Sequence, residues 1–176
     1  HIIPPPPKPY LEVSPLLSLQ GWPMGPPITG TPKAFFEVNV VINEMANASN
    51  LVAVATILHY DTSLLKIVPD SVTGCNATEG PFMNQTWEPN RGNSWAPYGT
   101  YFFTTFAGID NAITWGLVLW PNPGTGEYDW GKFPDTTGLT LEQRVLFTVT
   151  FESIKQEEYP WEDGCALDIE PIFPPL

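Results

Sequence analysis

The alternation of apolar and polar side chains in AFFEVNVVIN, at 34–43, is the feature that most constrains the fold. Every second side chain from Phe36 to Ile42 is apolar, whereas Glu37 and Asn39 lie between them. This period of two is typical of a β-strand with one buried face. No segment sustains the period of 3.6 that an amphipathic helix requires, so we predict an all-β chain.

Further short strands are predicted between turns rich in Gly, Pro and Asn. LVAVATILHY, at 51–60, is apolar on both faces, as in an interior strand. The remaining strands are predicted at 10–14, 64–68, 101–106, 114–120, 144–151 and 165–170, with a loop over 70–100. Thr140–Gln143 has the form of a capping box, which predicts one helical turn. The predicted fold is a jelly-roll or immunoglobulin-like antiparallel β-sandwich of about eight or nine strands.

The N-terminus is a proline-rich arm, HIIPPPPKP. Proline cannot donate to a strand ladder, so this arm is not a central strand. We therefore divide the chain into an N-terminal arm at 1–14, with a possible donor or first strand, and a sandwich domain at 15–176. The chain begins at His1 without a signal peptide, and the simplest interpretation is a mature, processed protein.

The formal net charge is −12, from 19 acidic and 7 basic side chains. Nucleic acid is not a predicted partner, because binding it requires Lys or Arg against the phosphates. No apolar run approaches the ~18 residues that a membrane helix needs. The acidic surface favours solubility outside the cell.

Two features indicate an extracellular location and cell-surface exposure. Three sequons predict N-linked glycans at Asn47, Asn76 and Asn84. The two cysteines, Cys75 and Cys165, lie outside any metal-type Cys-x-x-Cys pattern. We predict that they form a disulfide, which would contribute about 4 kcal/mol by closing a loop of roughly 90 residues. Two unpaired buried thiols are the alternative.

A family resemblance follows from three segments. FFEVNVVINEMANASNLVAVATILHYDTSLLKIVP resembles the first half of a cohesin module, in which a strand ends in Tyr-Asp and an apolar strand follows. Here that pair is Tyr60-Asp61, followed by Leu64, Leu65 and Val68. VLFTVTFESI and ALDIE are similar to the closing strands of the module. The resemblance implies a nine-stranded jelly-roll sandwich, related to carbohydrate-binding modules, that binds a dockerin. The aromatic middle, the cysteines and the arm depart from it.

Catalytic residues are not predicted. The only histidines are His1 and His59, and His59 falls on the face opposite Leu58 and Tyr60, as expected for an outer sheet face. No nucleophile elbow, zinc-protease motif or phosphate loop is present. Glu127 and Asp129 could form a carboxylate pair of the glycosidase type, but any acidic protein offers such pairs.

Neither a cofactor nor a metal site is predicted. Six carboxylates lie in predicted loops, where they could bind a structural calcium ion. They are Asp61, Asp110, Asp129, Asp135, Glu162 and Asp163. No twelve-residue EF-hand loop is present, and the alternative is a solvated acidic surface.

The seven tryptophans indicate a binding or assembly role. Four of them, Trp87, Trp95, Trp130 and Trp161, fall in predicted loops, where aromatics can contact sugars or proteins. Trp115 and Trp120 are predicted on opposite faces of one strand. Two functions stay open: a structural subunit that assembles with copies of itself, and a binding module for carbohydrate or protein.

The N-terminal arm favours assembly. An extended segment can complete an open edge of the next subunit, and such a head-to-tail contact generates a filament or surface layer. This logic is similar to that of donor-strand pili and archaeal surface threads. The predicted subunit-contact residues are Ile2, Ile3, Tyr10, Leu11 and Val13. The alternative is that Tyr10–Ser14 is the first strand of its own sandwich.

Overall fold

The computed structural model describes residues 10–14, 35–45, 51–63, 65–68, 77–87, 95–105, 111–128, 132–153 and 167–171. They contain nine strands: β1 (Tyr10–Ser14), β2 (Phe35–Asn43), β3 (Ala53–Tyr60), β4 (Leu65–Ile67), β5 (Ala77–Glu79), β6 (Thr100–Thr105), β7 (Ala112–Leu119), β8 (Val145–Ser153) and β9 (Leu167–Pro171). A helix, α1, spans Pro81–Asn84, and a 3-10 helix spans Glu142–Arg144.

The strands form two antiparallel sheets. In the first sheet the order is β1-β2-β8-β4, and β5 pairs with β8 beyond the end of β4. In the second sheet the order is β6-β7-β3-β9. This arrangement confirms the predicted all-β class, the antiparallel sandwich and the strand count. It also confirms that β3 is an interior strand, since β3 pairs with both β7 and β9.

The core lies between the sheets and follows the predicted alternation. Buried apolar side chains of β2 and β8 in the first sheet meet those of β3 and β7 in the second. They include Val38, Val40, Ile42, Phe147, Val149, Phe151, Val54, Leu58, Ile113, Trp115, Leu117 and Leu119. Trp115 stacks on Phe147, with ring centroids 4.9 Å apart and planes at 11°. This contact joins the middle of one sheet to the middle of the other.

A β-bulge interrupts the ladder between β2 and β8. Val40 is opposite Phe147, but Val41 is opposite Val145, so Leu146 is the extra residue on β8. Val41 is fully buried, although strict alternation predicts it on the outer face. The sequence pattern misses this burial because a bulge shifts the register without changing the hydrophobic period of β2.

Two short elements lie within 70–100, where we predicted a loop. They are β5 and α1, and α1 buries Phe82 and Met83. Pro81 occupies the first turn of α1, where its missing N–H costs no hydrogen bond. Three or four residues are too few to show a strand or helix period, so periodicity cannot predict these elements.

The predicted helical turn is confirmed at Thr140–Gln143. The backbone N–H of Thr140 donates to Gln143 Oε1 at 3.0 Å, and the backbone N–H of Gln143 donates to Thr140 Oγ1 at 3.4 Å. The turn leads into the 3-10 helix. No helix within the described residues is long and apolar enough to cross a membrane.

Strand β1 pairs with β2 of its own chain, from Tyr10 opposite Asn43 to Ser14 opposite Asn39. Leu11 and Val13 pack against the core, and Tyr10 is exposed. Glu12 Oε2 accepts a hydrogen bond from Asn43 Nδ2 at 3.0 Å, and Asn43 Oδ1 accepts one from Arg144. Tyr10–Ser14 is thus the first strand of this sandwich, which was the alternative interpretation of the arm. Ile2 and Ile3 lie outside the described residues.

The backbones of β8 and the segment between β5 and α1 approach closely at Gly80. Its N–H donates to the carbonyl oxygen of Leu146 at 2.8 Å. A Cβ at Gly80 would lie 2.8 Å from the carbonyl carbon of Leu146 and closer still to the carbonyl oxygen of Val145. Because these are backbone atoms inside a ladder, they cannot rotate away.

We expect Gly80→Ala to lower the free energy of unfolding by about 1–3 kcal/mol, the usual cost of overpacking. Chemical denaturation would measure the change. Gly124→Ala is the matched control, because its Cβ would meet only Asn122 Oδ1 at 3.3 Å, on an exposed turn. Equal stability of the two variants would contradict the close approach at Gly80.

Candidate functional site

Two exposed aromatic residues lie together on the β6–β7 side of the second sheet. Tyr101 is 54% exposed and Trp120 is 50% exposed, although both are large apolar side chains. Their ring centroids are 6.0 Å apart, and Tyr101 is 5.9 Å from the ring of Phe103. Trp115 is fully buried, so the prediction that Trp115 and Trp120 point in opposite directions is confirmed.

The predicted loop tryptophans are placed differently. Trp95 lies in a loop but is buried, and its Nε1–H donates to the carbonyl oxygens of Phe82 and Met83 at 3.2 and 3.1 Å. Trp87 is half-buried, with its ring 6.2 Å from that of Trp95. Trp130 and Trp161 lie outside the described residues. These two described tryptophans therefore stabilise the α1 region, and sequence reasoning overlooked Tyr101.

The register of the second sheet defines a continuous outer surface, which we call the aromatic face. Tyr101 is opposite Val118, and Val118 is opposite Ala53. Two residues along, Phe103 is opposite Gly116, and Gly116 is opposite Ala55. Residues directly opposite in antiparallel strands share a face. The aromatic face therefore consists of Tyr101, Phe103, Trp120, Val118, Gly116, Ala53 and Ala55.

The Phe103 ring packs against Gly116, and we call this position the seat for Phe103. A Cβ at Gly116 would lie 2.6 Å from Phe103 Cε1 and closer still to Cζ. The Phe103 ring therefore lies directly over the β7 backbone, which is possible only because position 116 has no side chain. Glycine weakens a strand interior, so its presence in β7 marks a close approach of this kind. The ring of Phe103 then supports Tyr101.

Trp120 is positioned by a turn that precedes β6. The backbone N–H of Trp120 donates to the carbonyl oxygen of Gly99 at 3.0 Å. Gly99 has φ of +92°, a left-handed conformation that other residues rarely adopt. This bond continues the β6–β7 ladder by one pair and places the indole beside Tyr101.

The described side chains of the aromatic face carry no charge, in a chain whose net charge is −12. His59 lies farther along the same outer face, as predicted from the alternation of β3, where it is opposite Ala112 and half-buried. Among the described residues, the seven positions of the aromatic face therefore form a neutral area on an acidic molecule.

Glu79 anchors the start of β6. Thr100 Oγ1 donates to Glu79 Oε1 at 2.6 Å, which ties β6 of one sheet to β5 of the other. Burial raises the pKa of the Glu79 carboxyl, while hydrogen bonds from Thr100 and Asn84 lower it in part. At neutral pH the ionised carboxylate is therefore partly desolvated, and its hydrogen bond with Thr100 holds the strand that carries Tyr101.

The remaining predicted site residues are mostly untested. Asn47, Asn76, Cys75 and Cys165 lie outside the described residues. Asn84 is half-buried at the end of α1, and its Oδ1 accepts the backbone N–H of Thr86 at 3.1 Å. The glycans and the disulfide stay predictions.

The loop carboxylates that are described shape turns. Asp61 Oδ1 accepts the N–H of Ser63 at 2.8 Å, and Asp135 Oδ1 accepts that of Thr137 at 2.7 Å. Among the described residues, no group of three or more possible metal ligands lies together. Glu127 is exposed, and Asp129 lies outside the described residues, as do Asp110, Glu162 and Asp163.

No family model matches the sequence, and no curated protein matches it. Among solved structures, a chain of a type II cohesin–X-dockerin complex from Acetivibrio cellulolyticus, an N-terminal interface mutant, is similar, with 13% identity and a TM-score of 0.46. The match covers 70% of this chain and 64% of that chain, so it spans less than two thirds of that neighbour. The likeness is too low to carry a conclusion about family or partner, and the fold rests on the observed strand pairings.

We expect Gly116→Ala to displace the Phe103 ring and to lower the free energy of unfolding by about 1–3 kcal/mol. The same substitution in a Phe103→Ala background should cost much less, because the ring is no longer there to displace. Denaturation of the four proteins of this double-mutant cycle measures the coupling. A coupling energy of zero would show that Phe103 does not lie on Gly116.

The contribution of Glu79 to stability should depend on pH. Its pKa is raised in the folded state, so its favourable contribution is fully present below the usual pKa and is lost as the pH rises through the raised pKa. Glu79→Gln keeps an acceptor for Thr100 without the charge. We expect the Tm of this variant, relative to wild type, to increase between about pH 4 and pH 7.

Glu142→Gln is the control with the opposite sign. Hydrogen bonds from its own backbone and from Thr140 lower the pKa of Glu142. The Tm of this variant, relative to wild type, should therefore decrease as the pH rises over the same range. Parallel pH profiles for the two variants would contradict the burial of the Glu79 carboxyl.

Proposed function

We propose that the chain is an extracellular protein-binding module that holds its partner on the aromatic face. The observation that carries this proposal is the neutral cluster of exposed Tyr101 and Trp120 with half-buried Phe103 on a strongly acidic domain. Contiguous exposed apolar surface on a soluble domain is typical of an interaction site. Tyr and Trp are also the residues that most often dominate the energy of protein interfaces.

The energetic gain from covering these rings is substantial. Fully burying a large apolar side chain contributes about 1.5–3 kcal/mol relative to leaving it in water. Tyr101 and Trp120 are about half-exposed, so covering both would contribute roughly 1.5–3 kcal/mol at the same rate. The seat at Gly116 and the turn at Gly99 hold the rings in place beforehand, which lowers the entropy lost on binding.

The ring geometry favours a protein over a polysaccharide. A flat sugar chain needs aromatic rings whose faces lie in one plane, whereas the planes of Tyr101 and Trp120 meet at 61°. The surface beside them, formed by Ala53, Ala55 and Val118, offers no side-chain hydrogen bonds for sugar hydroxyls. A ridge of tilted rings next to small side chains fits apolar side chains of a protein partner instead.

The sequons and the two cysteines support the extracellular location of this module. The other function predicted from the sequence, a filament subunit joined through the N-terminal arm, stays a prediction. The described contacts of Leu11 and Val13 are made within the same chain, and they do not favour that role.

The test is affinity capture from the extracellular fraction of the source organism, with bound proteins quantified by mass spectrometry. We expect a protein that is captured by the wild type and lost with the Tyr101→Ala, Trp120→Ala double variant. Tyr10→Ala is the matched control, because Tyr10 is 49% exposed but lies on the first sheet.

Two results would overturn the proposal. One is capture that the double variant leaves unchanged. The other is binding to a panel of soluble and insoluble polysaccharides that the double variant loses, which would make the aromatic face a sugar site.

A further inference from the structure

The two exposed rings of the aromatic face carry polar groups that the described fold does not use. Trp120 bonds through its backbone to Gly99, and its ring contacts that of Tyr101, which also contacts Phe103. No described residue accepts a hydrogen bond from the Trp120 indole N–H or from the Tyr101 hydroxyl. An indole is a donor only, and a phenol can donate as well as accept. The aromatic face therefore presents hydrogen-bond donors to a partner.

The rest of the aromatic face has no polar side chain. Its other members are Phe103, Val118, Gly116, Ala53 and Ala55. An extended peptide laid on this surface would bring backbone N–H groups that find no side-chain acceptor there, and a buried N–H without a partner is unfavourable. A helix has already bonded its carbonyl groups internally, so it would cover the two ring donors without pairing them. The surface is complementary to a segment with free carbonyl groups and few N–H groups.

A polyproline II segment has these properties. Its carbonyl groups form no internal hydrogen bonds, and proline has no backbone N–H. Proline-rich segments bind to grooves lined by aromatic side chains, and they lose little conformational entropy because the helix is preformed. The rings of Tyr101 and Trp120, with centroids 6.0 Å apart and planes at 61°, form a corner rather than a flat platform. A compact pyrrolidine ring fits such a corner.

A carboxylate lies near the two rings. Glu127 is exposed, and its carbonyl oxygen accepts the N–H of Asn122 at 2.9 Å, two residues after Trp120. Two residues of about 3.5 Å and one cross-strand step of about 5 Å put its backbone within about 12 Å of that of Trp120. One turn of polyproline II, three residues, spans about 9 Å. A basic residue one turn from the proline on the rings would lie near Glu127, and the net charge of −12 favours such a segment.

We infer that the aromatic face binds a proline-rich segment of another protein, in the polyproline II conformation, with Lys or Arg about three residues from the proline at the rings. This inference rests on the proposed function, because it names the partner class for the same surface. The chain itself contains PPPPKP at 4–9. The next segment, β1, lies beside β9, at the opposite side of the second sheet from β6, so the geometry favours a separate protein.

The experiment is isothermal titration calorimetry of the full chain with three synthetic peptides. PPPPPKPPPPP is the ligand probe, PPPPPEPPPPP reverses its charge, and GSGSGKGSGSG keeps the charge without the polyproline II conformation. We expect the lysine peptide to bind most tightly. The glycine–serine peptide should bind at least about tenfold more weakly, because it has no pyrrolidine rings to cover the aromatic rings. The glutamate peptide should bind about two- to fivefold more weakly, the usual range for an exposed ion pair.

Variants locate the binding site. The Tyr101→Ala, Trp120→Ala double variant should weaken binding of the lysine peptide at least about tenfold, because it removes both rings. Tyr10→Ala, on the first sheet, should leave the affinity unchanged. Glu127→Gln should reduce the preference for the lysine peptide over the glutamate peptide. Circular dichroism confirms that each variant is folded.

Three results would overturn the inference. The first is equal affinity for the three peptides, and the second is binding of the lysine peptide that the folded double variant keeps. The third is no peptide binding while the double variant still loses a captured protein, which refutes the polyproline ligand and leaves the proposed function intact. Capture that the double variant leaves unchanged refutes the proposed function itself.

A last variant distinguishes another protein from the N-terminal arm of the chain. It combines Pro4→Ser, Pro5→Ser, Pro6→Ser and Pro7→Ser. We expect this variant to bind the lysine peptide with wild-type affinity. A gain of tenfold or more would show that the arm itself competes for the aromatic face, and it would overturn the assignment to another protein.

Discussion

The stacking of Trp115 on Phe147 is the contact on which the rest of the structure depends. It joins β7 to β8, the two central strands that lie on opposite sides of the core, with ring planes nearly parallel at 11°. Side chains alternate along a strand, so fixing Trp115 inward fixes Gly116 outward. A slip of one residue would turn Trp115 towards solvent and place Gly116 in the core. The seat for Phe103, and with it the aromatic face, is therefore a consequence of how the core packs.

Burying Trp115 leaves its indole N–H unsatisfied, and the burial of the apolar ring outweighs that cost. Trp115 Nε1 is buried without a hydrogen-bond partner, which costs about 1–3 kcal/mol. Burying the 150–250 Å² of an aromatic side chain contributes about 4–6 kcal/mol at 25 cal/mol per Å². The balance favours the indole by a few kcal/mol, before the stacking on Phe147 is counted. A large planar ring fills the centre of the sandwich, and the unsatisfied N–H is tolerated for that reason.

The sequence predicted the parts of the fold that a period of two can show. The alternation in β2 and the doubly apolar β3 gave correct strands, a correct inner face and the interior position of β3. The burial of Val41 escaped prediction, because the bulge at Leu146 lies on the partner strand. The aromatic face escaped for a similar reason: Tyr101 and Gly116 are 15 positions apart, and only the β6–β7 register brings their strands together. Loop tryptophans were a poor guide, since Trp95 in a loop is buried and Tyr101 in a strand is exposed.

The neutral aromatic face and the net negative charge of the molecule have opposite effects on aggregation. Exposed aromatic side chains on a neutral surface promote aggregation unless something keeps the molecules apart. A net charge of −12 supplies that repulsion, and the sequences of β6 and β7 contain no charged residue. The Glu79 carboxylate, held at a desolvation cost, fixes the start of β6. Burying or replacing Tyr101 and Trp120 would favour stability, whereas keeping both rings ordered and exposed is what the proposed partner binding on the aromatic face requires.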